Sequence, residues 1–232
     1  MLPPTTPLLF ISGAGLPAWV WDDVLSALPD ARDTVVAARP DTAGPRRLDD
    51  YADAALASAP WPSFAIVGHS IGGVIGARVV EQAPERVAAF VGIAASIPGP
   101  GTSFFGALPF PQRLVLGCVT RVLGTRPPAG ALRRSLAHGL DPTTAERVVE
   151  GFAPESQALY RDPIGSAAYP DVRGYLQTTD DPELPMALQE SYARNLGAGT
   201  TESLPTGHLP MLADPAGTAM AIERLLGGDA QR

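Results

Sequence analysis

A serine oxygen becomes a nucleophile when the chain presents it outward and a base stands beside it. One pentapeptide in these 232 residues suits the first condition: Gly68-His69-Ser70-Ile71-Gly72. It lies between an apolar run, Phe64 to Val67, and an apolar helical pattern from Ile71 to Gln82. A G-x-S-x-G segment between a strand and a helix forms a sharp, strained turn with the serine hydroxyl at its tip. The two glycines belong there, because a side chain at either place would strike the adjoining strand or helix. Ser70 is therefore the candidate nucleophile, and His69, confined to the same turn, reads as a packing or hydrogen-bonding residue.

A serine hydroxyl stays a weak nucleophile near neutral pH until a base removes its proton. The chain has three histidines, His69, His138 and His208. His208 is the candidate base. It stands in Thr206-Gly207-His208-Leu209-Pro210, a loop between a weak strand pattern and a helix opened by Asp214 and Pro215. His138, beside Leu136, Ala137 and Leu140, reads as a packing or pocket-lining residue. The orienting acid should fall between serine and histidine, the chain order that goes with this turn. The stretch Thr178-Thr179-Asp180-Asp181-Pro182-Glu183 offers two aspartates after a strand pattern, and residue types alone leave both open. Such a carboxylate holds the imidazole in one tautomer and stabilises its protonated form.

These residues need a scaffold that brings three distant loops together. Short apolar runs alternate with helical patterns: Leu8 to Ile11, Ala18 to Leu28, Thr34 to Ala37, Leu48 to Ala57, Phe64 to Val67, Ile71 to Gln82 and Ala88 to Ala95. This alternation implies βαβ units and right-handed crossovers in an α/β fold, a mostly parallel, doubly wound sheet of about six strands. From Ser96 to about Gly165 only helical stretches appear: Arg113 to Leu123, Gly130 to His138 and Thr143 to Phe152. The strand-helix rhythm then returns with Gly174 to Gln177, Pro185 to Leu196, Thr200 to Leu204 and Pro215 to Leu226. Residues 1–96 and 166–232 thus read as one core, with 97–165 as an inserted helical cap. Phe104 and Phe105 are expected to face a ligand. The charges of the cap, among them Arg113, Arg121, Asp141, Glu150 and Glu155, read as solvated faces.

Composition narrows the chemistry. A net charge of −7 disfavours nucleic acid, which demands clustered basic residues. The lone Cys118 excludes an internal disulfide and any zinc site needing two thiolates. Neither a G-x-x-x-x-G-K phosphate loop nor a G-x-G-x-x-G turn follows the first strand pattern. The first residues lack the basic start of a secretory signal, and their apolar run is too short for a membrane span, so a cytoplasmic location is expected.

The strand-turn-helix around Ser70 resembles that of the α/β-hydrolase superfamily. Within it, Ser12-Gly13-Ala14 followed by Trp19 and Trp21 is similar to the H-G-A loop of small cofactor-free esterases grouped with plant methylesterases and hydroxynitrile lyases, with Ser12 in place of the histidine. The resemblance implies an α/β-hydrolase fold and an oxyanion hole made by the backbone N–H groups of Ala14 and Ile71. It implies Asp181 as the acid, since the family shows T-x-D-x-x-(I/V/L)-P; Trp19 of the similar loop and His138 of the cap complete the substrate-contacting candidates. Water completes such a cycle, so no metal, nucleotide or organic cofactor is implied. The expected substrate is a small to medium, largely apolar ester, thioester or lactone. A lyase like the hydroxynitrile lyases is disfavoured because those enzymes are associated with a pocket lysine and all 17 basic residues here are arginine. A cyclase or ligand-binding receptor on the same fold is the other reading. Oligomeric state stays open.

Overall fold

A computed structural model describes residues 2–40 and 46–227. Its first half winds through β1 (Leu8–Ile11), a 3₁₀ turn at Ala18–Trp21, α1 (Asp22–Ala27), β2 (Thr34–Val36), α2 (Leu48–Ser58), β3 (Phe64–His69), α3 (Gly72–Gln82) and β4 (Val87–Ile93). A helical stretch follows, with α4 (Phe110–Leu123), α5 (Ala129–Arg134), α6 (Pro142–Gly151) and α7 (Gln157–Arg161). The chain closes through β5 (Val172–Thr178), α8 (Met186–Leu196), β6 (Thr200–Leu204), α9 (Pro210–Ala213) and α10 (Pro215–Leu225).

The six strands form one sheet in the order β2-β1-β3-β4-β5-β6. Every neighbouring pair runs parallel. The inner part of a parallel sheet is covered on both faces, which is why β1, β3 and β4 read as nearly continuous apolar runs, whereas the edge strand β6 is polar and largely exposed. Alternate side chains serve the two faces. Leu9, Ile11, Ile66 and Phe90 pack with residues of α2, α3 and α8, whereas Leu8, Phe10, Val67 and Val91 pack with residues of α1 and α10. The chain enters at β1, moves outward to β2 and returns to β3 on the other side of β1. The loops leaving β1 and β3 therefore diverge, and such a switch point leaves a crevice beyond the carboxyl ends of the strands.

Some local boundaries differ from expectation. The helix expected over Gly130 to His138 stops at Arg134, where the Ser135 hydroxyl donates back to the Ala131 carbonyl at 3.0 Å. Such local bonds compete with helix propagation. β4 ends at Ile93 because Ala94 turns to φ +41°. The short helices α7 and α9 were not expected; at one turn apiece they show no periodicity to read. Glu155, expected on a solvated face, is buried. Distant groups, Arg39, Tyr51 and the Gly15 N–H, meet its carboxylate. Among the described residues, no helix is long and apolar enough to cross a membrane.

α3 passes so close to the end of β1 that a Cβ on Gly72 would lie 2.1 Å from the Ile11 carbonyl oxygen. Neither element can yield without disturbing the sheet. Gly72→Ala is expected to destabilise the fold by about 3 kcal/mol, seen as a lower urea midpoint at an unchanged slope.

Candidate active site

β3 delivers the chain into its turn at Ser70, which adopts φ +53°. A non-glycine residue held there costs about 1–3 kcal/mol and persists only where its surroundings fix it. The Ser70 N–H donates to Ile93 O at 3.2 Å, and the Ser70 carbonyl accepts from Gly73 at 3.0 Å and Ser96 at 2.8 Å. These bonds lock the strained backbone between β4 and α3, leaving the side chain partly accessible.

His208 follows β6, and Asp181 follows β5. His208 Nδ1–H donates to Asp181 Oδ2 at 2.6 Å, with both side chains buried. Asp181 Oδ2 also accepts from the Thr178 hydroxyl at 2.8 Å, and Oδ1 accepts from the N–H groups of Glu183 and Leu184 at 2.8 and 3.0 Å. Burial pushes the Asp181 carboxyl up, but the His208 charge and hydrogen bond, the Leu184 N–H and the Thr178 hydroxyl outweigh it and leave Asp181 below the ordinary carboxylate value. For His208, burial pushes downward and the charge and hydrogen bond of Asp181, joined by the charge of Glu183, win, so its pKa lies above 6.5. Asp180 is exposed, with the Thr179 hydroxyl at 3.3 Å from its carboxylate.

Ser70, His208, Ala14 and Ile71 border one cavity of about 190 Å³ at the switch point. Phe104 and Phe105 contribute to its wall. Trp19 and His138 are absent from the lining. Arg147 sits 3.7 Å over the Trp19 ring, and His138 has an exposed side chain with its carbonyl pressed against Gly207. Leu132, Leu136, Phe152, Tyr160 and Glu183, none of them a candidate on sequence grounds, also line the cavity. The four apolar and aromatic residues are scattered along the helical stretch without a shared motif. Glu183 had a usable signal, its place two residues after Asp181.

An α/β-hydrolase family model matches residues 8–221. The chain belongs to the α/β-hydrolase family. Among relatives of this α/β-hydrolase, a probable esterase, PIR7A, from Oryza sativa subsp. indica is 36% identical over 107 residues, which span 40% of each protein. Esterase PIR7B from Oryza sativa subsp. japonica is 34% identical over 120 residues, 44% of this chain and 45% of that protein. The matched part thus spans less than half of these curated relatives. Two solved structures share the fold. An extracellular α/β-hydrolase from a Paenibacillus species superposes with a TM-score of 0.80 at 17% identity, covering 95% of this chain and 98% of that one. Polyneuridine aldehyde esterase gives 0.68 at 18% identity, covering 94% and 99%.

His69 is fully buried behind the turn of this hydrolase fold. Its Nε2–H donates to the His208 carbonyl at 2.8 Å, so it braces the loop that carries the candidate base. Burial, then the charge of the neighbouring His208, pushes its pKa down to about 3, which keeps it neutral. The two histidines therefore act oppositely on stability. His208, with its folded pKa raised, gives stability that is complete below pH 6.5 and lost as pH rises through that raised value. His69, with its folded pKa depressed, gives stability present above pH 6.5 and lost as pH falls toward about 3. The urea midpoint is expected to drop between about pH 6.5 and pH 5. His69→Gln, which keeps an amide donor without a titrating ring, should flatten that drop; an equal drop in both proteins contradicts this account of His69.

Proposed function

We propose that this α/β-hydrolase is a serine esterase that cleaves a small to medium, largely apolar carboxylic ester, thioester or lactone through an acyl-enzyme on Ser70. The observation that carries the reading is the buried 2.6 Å contact between His208 and Asp181, set at the same cavity as a serine on a strained strand-to-helix turn. The esterase names of the rice relatives agree with it. Residues 97–165 serve as the cap, supplying Phe104, Phe105 and other apolar walls for the acyl or alcohol part.

In this mechanism His208 Nε2 takes the proton from Ser70 Oγ as that oxygen bonds to the substrate carbonyl carbon. The carbonyl oxygen becomes an oxyanion and accepts from the Ala14 and Ile71 N–H groups, donors that contribute about 10²–10³ in rate apiece in such sites. Collapse breaks the bond to the leaving alcohol or thiol, which receives the proton held by His208. Water then attacks the acyl-enzyme and gives a proton to His208. The acid departs, and the proton returns to Ser70. Throughout, Asp181 stays ionised and stabilises the transient imidazolium.

Incubation with a fluorophosphonate probe and p-nitrophenyl esters of increasing acyl length tests the reading. Labelling and turnover are expected in the wild type and absent in Ser70→Ala. Asp181→Asn should lower kcat by about 10⁴. Because the base must be neutral, kcat/KM should rise with pH through the His208 value, above 6.5. Asp181→Asn removes the charge that raises this value and leaves the burial that lowers it, so the limb should move to lower pH. A wild type that is neither labelled nor active on any ester overturns the proposal.

A further inference from the structure

A polar cluster on the far side of the oxyanion loop has no part in the steps above. Arg39, just beyond β2, donates from Nη2 to the carbonyls of Ser12 at 2.8 Å and Gly13 at 2.6 Å. Its Nε lies 3.4 Å from Glu155 Oε1. That same carboxylate oxygen accepts the Gly15 N–H at 3.0 Å, and Glu155 Oε2 accepts the Tyr51 hydroxyl at 2.9 Å. Tyr51 in turn accepts the Ser156 N–H at 3.0 Å. The Glu155 backbone is fixed as well, since its N–H donates to the Thr125 hydroxyl at 2.9 Å and its carbonyl accepts from it at 2.5 Å. A buried carboxylate is costly unless its charge and hydrogen bonds are satisfied, and here Arg39 and partners from three further segments, the loop after β1, Tyr51 and Thr125, satisfy Glu155.

Peptide planarity turns these contacts into a statement about Ala14. In a trans peptide the carbonyl oxygen and the following N–H point in opposite directions. Arg39 grips the Gly13 carbonyl from a small void lined by Ser12, Arg39 and Tyr51, whereas Gly13 and Ala14 border the substrate cavity. Holding the Gly13 oxygen toward Arg39 therefore aims the Ala14 N–H toward the cavity. The next peptide is held in the reverse sense, with the Gly15 N–H on Glu155. Two consecutive peptide planes are thus gripped by one ion pair, which adds to the turn bond from the Leu16 N–H to the Gly13 carbonyl at 3.3 Å. Ser12, where the resemblance has histidine, takes a different partner: its hydroxyl accepts the Trp21 indole N–H at 3.0 Å.

We infer that Arg39 and Glu155 are positioning residues that orient the Ala14 N–H for the developing oxyanion, and that Glu155 makes this orientation depend on the inserted helical segment being in place. The inference rests on the proposed ester chemistry for its kinetic consequence, while the held peptides are testable without it. Burial, opposed by the Ser156 N–H, pushes the Tyr51 hydroxyl up to about 12, so it remains a donor to Glu155 across the working pH range.

The test compares Glu155→Ala, Glu155→Gln and Arg39→Met on p-nitrophenyl acetate, with amide hydrogen exchange at Gly15 followed by NMR. Glu155→Ala and Arg39→Met should each lower kcat about tenfold to a hundredfold with KM within about threefold, because a misaimed donor is lost to the transition state more than to the ground state. The pH limb of His208 should not move in either. Glu155→Gln, whose amide oxygen still accepts the Gly15 N–H, should recover most of the loss. Gly15 exchange should quicken about tenfold or more in Glu155→Ala and stay near the wild-type rate in Glu155→Gln. The inference is overturned by kcat within about twofold of wild type in both Glu155→Ala and Arg39→Met, or by losses confined to KM. If Glu155→Ala does not fold, Arg39→Met decides the kinetics, since the Arg39 side chain is 24% exposed whereas Glu155 is buried. If the wild type cleaves no ester, the functional proposal fails by itself, and Gly15 exchange unchanged between wild type and Glu155→Ala refutes the clamp separately.

Discussion

Burying a carboxylate without partners costs several kcal/mol, and much of this molecule is arranged so that Asp181 is not in that position. One of its oxygens meets His208 and the Thr178 hydroxyl, and the other meets two backbone N–H groups of its own loop. That loop is itself fastened: the Gln189 amide, fully buried on α8, bonds the backbone of Thr178 and the carbonyl of Leu184. The carboxylate is thereby ionised and immobile, and it can fix the tautomer of His208. The pairing of β5 with β6 continues into the loops that follow them, where the Thr179 N–H donates to Leu204 O at 3.0 Å and the Asp180 N–H to Thr206 O at 3.1 Å.

The second constraint is the crowding at the switch point. β1 and β3 are neighbours, yet their outgoing loops part, and α3 must start almost against the end of β1. The strained Ser70 backbone and the closeness of Gly72 to Ile11 are two consequences of the same crossing. The apolar strands beneath supply the rigidity that keeps such strain in place, because a packed parallel sheet has little freedom to relax. Strain at the turn and the cavity above it thus share one cause in topology.

Polar groups around the cavity divide into two systems. On one side, His69 braces the His208 loop as a neutral ring whose burial suppresses its charge. On the other, Arg39, Glu155 and Tyr51 hold the loop after β1 by full hydrogen bonding rather than by neutralisation. The apolar wall between them comes largely from the stretch between β4 and β5, whose aromatic and aliphatic side chains enclose the space without competing for polar partners.

Much of this was legible in the residues. Apolar runs located the inner strands, the strand-helix rhythm located the polar edge strand β6, and the glycine spacing around Ser70 announced the turn, because all are local patterns imposed by backbone geometry. The position of His208 after the last strand was legible too, and the resemblance selected Asp181 over Asp180. Other features depended on groups far apart in sequence. Glu155 looked like one charge among many on a solvated face, yet Gly15 and Tyr51, 140 and 104 residues away, enclose it. Trp19 belonged to a recognisable loop and His138 to an apolar stretch, yet neither borders the cavity, because side-chain direction follows from packing and not from membership of a motif. The sequence by itself determined the layered architecture and the residue types able to do chemistry; the tertiary structure decided which of them meet, since hydrogen bonds between loops are fixed only when the sheet has set the loops side by side.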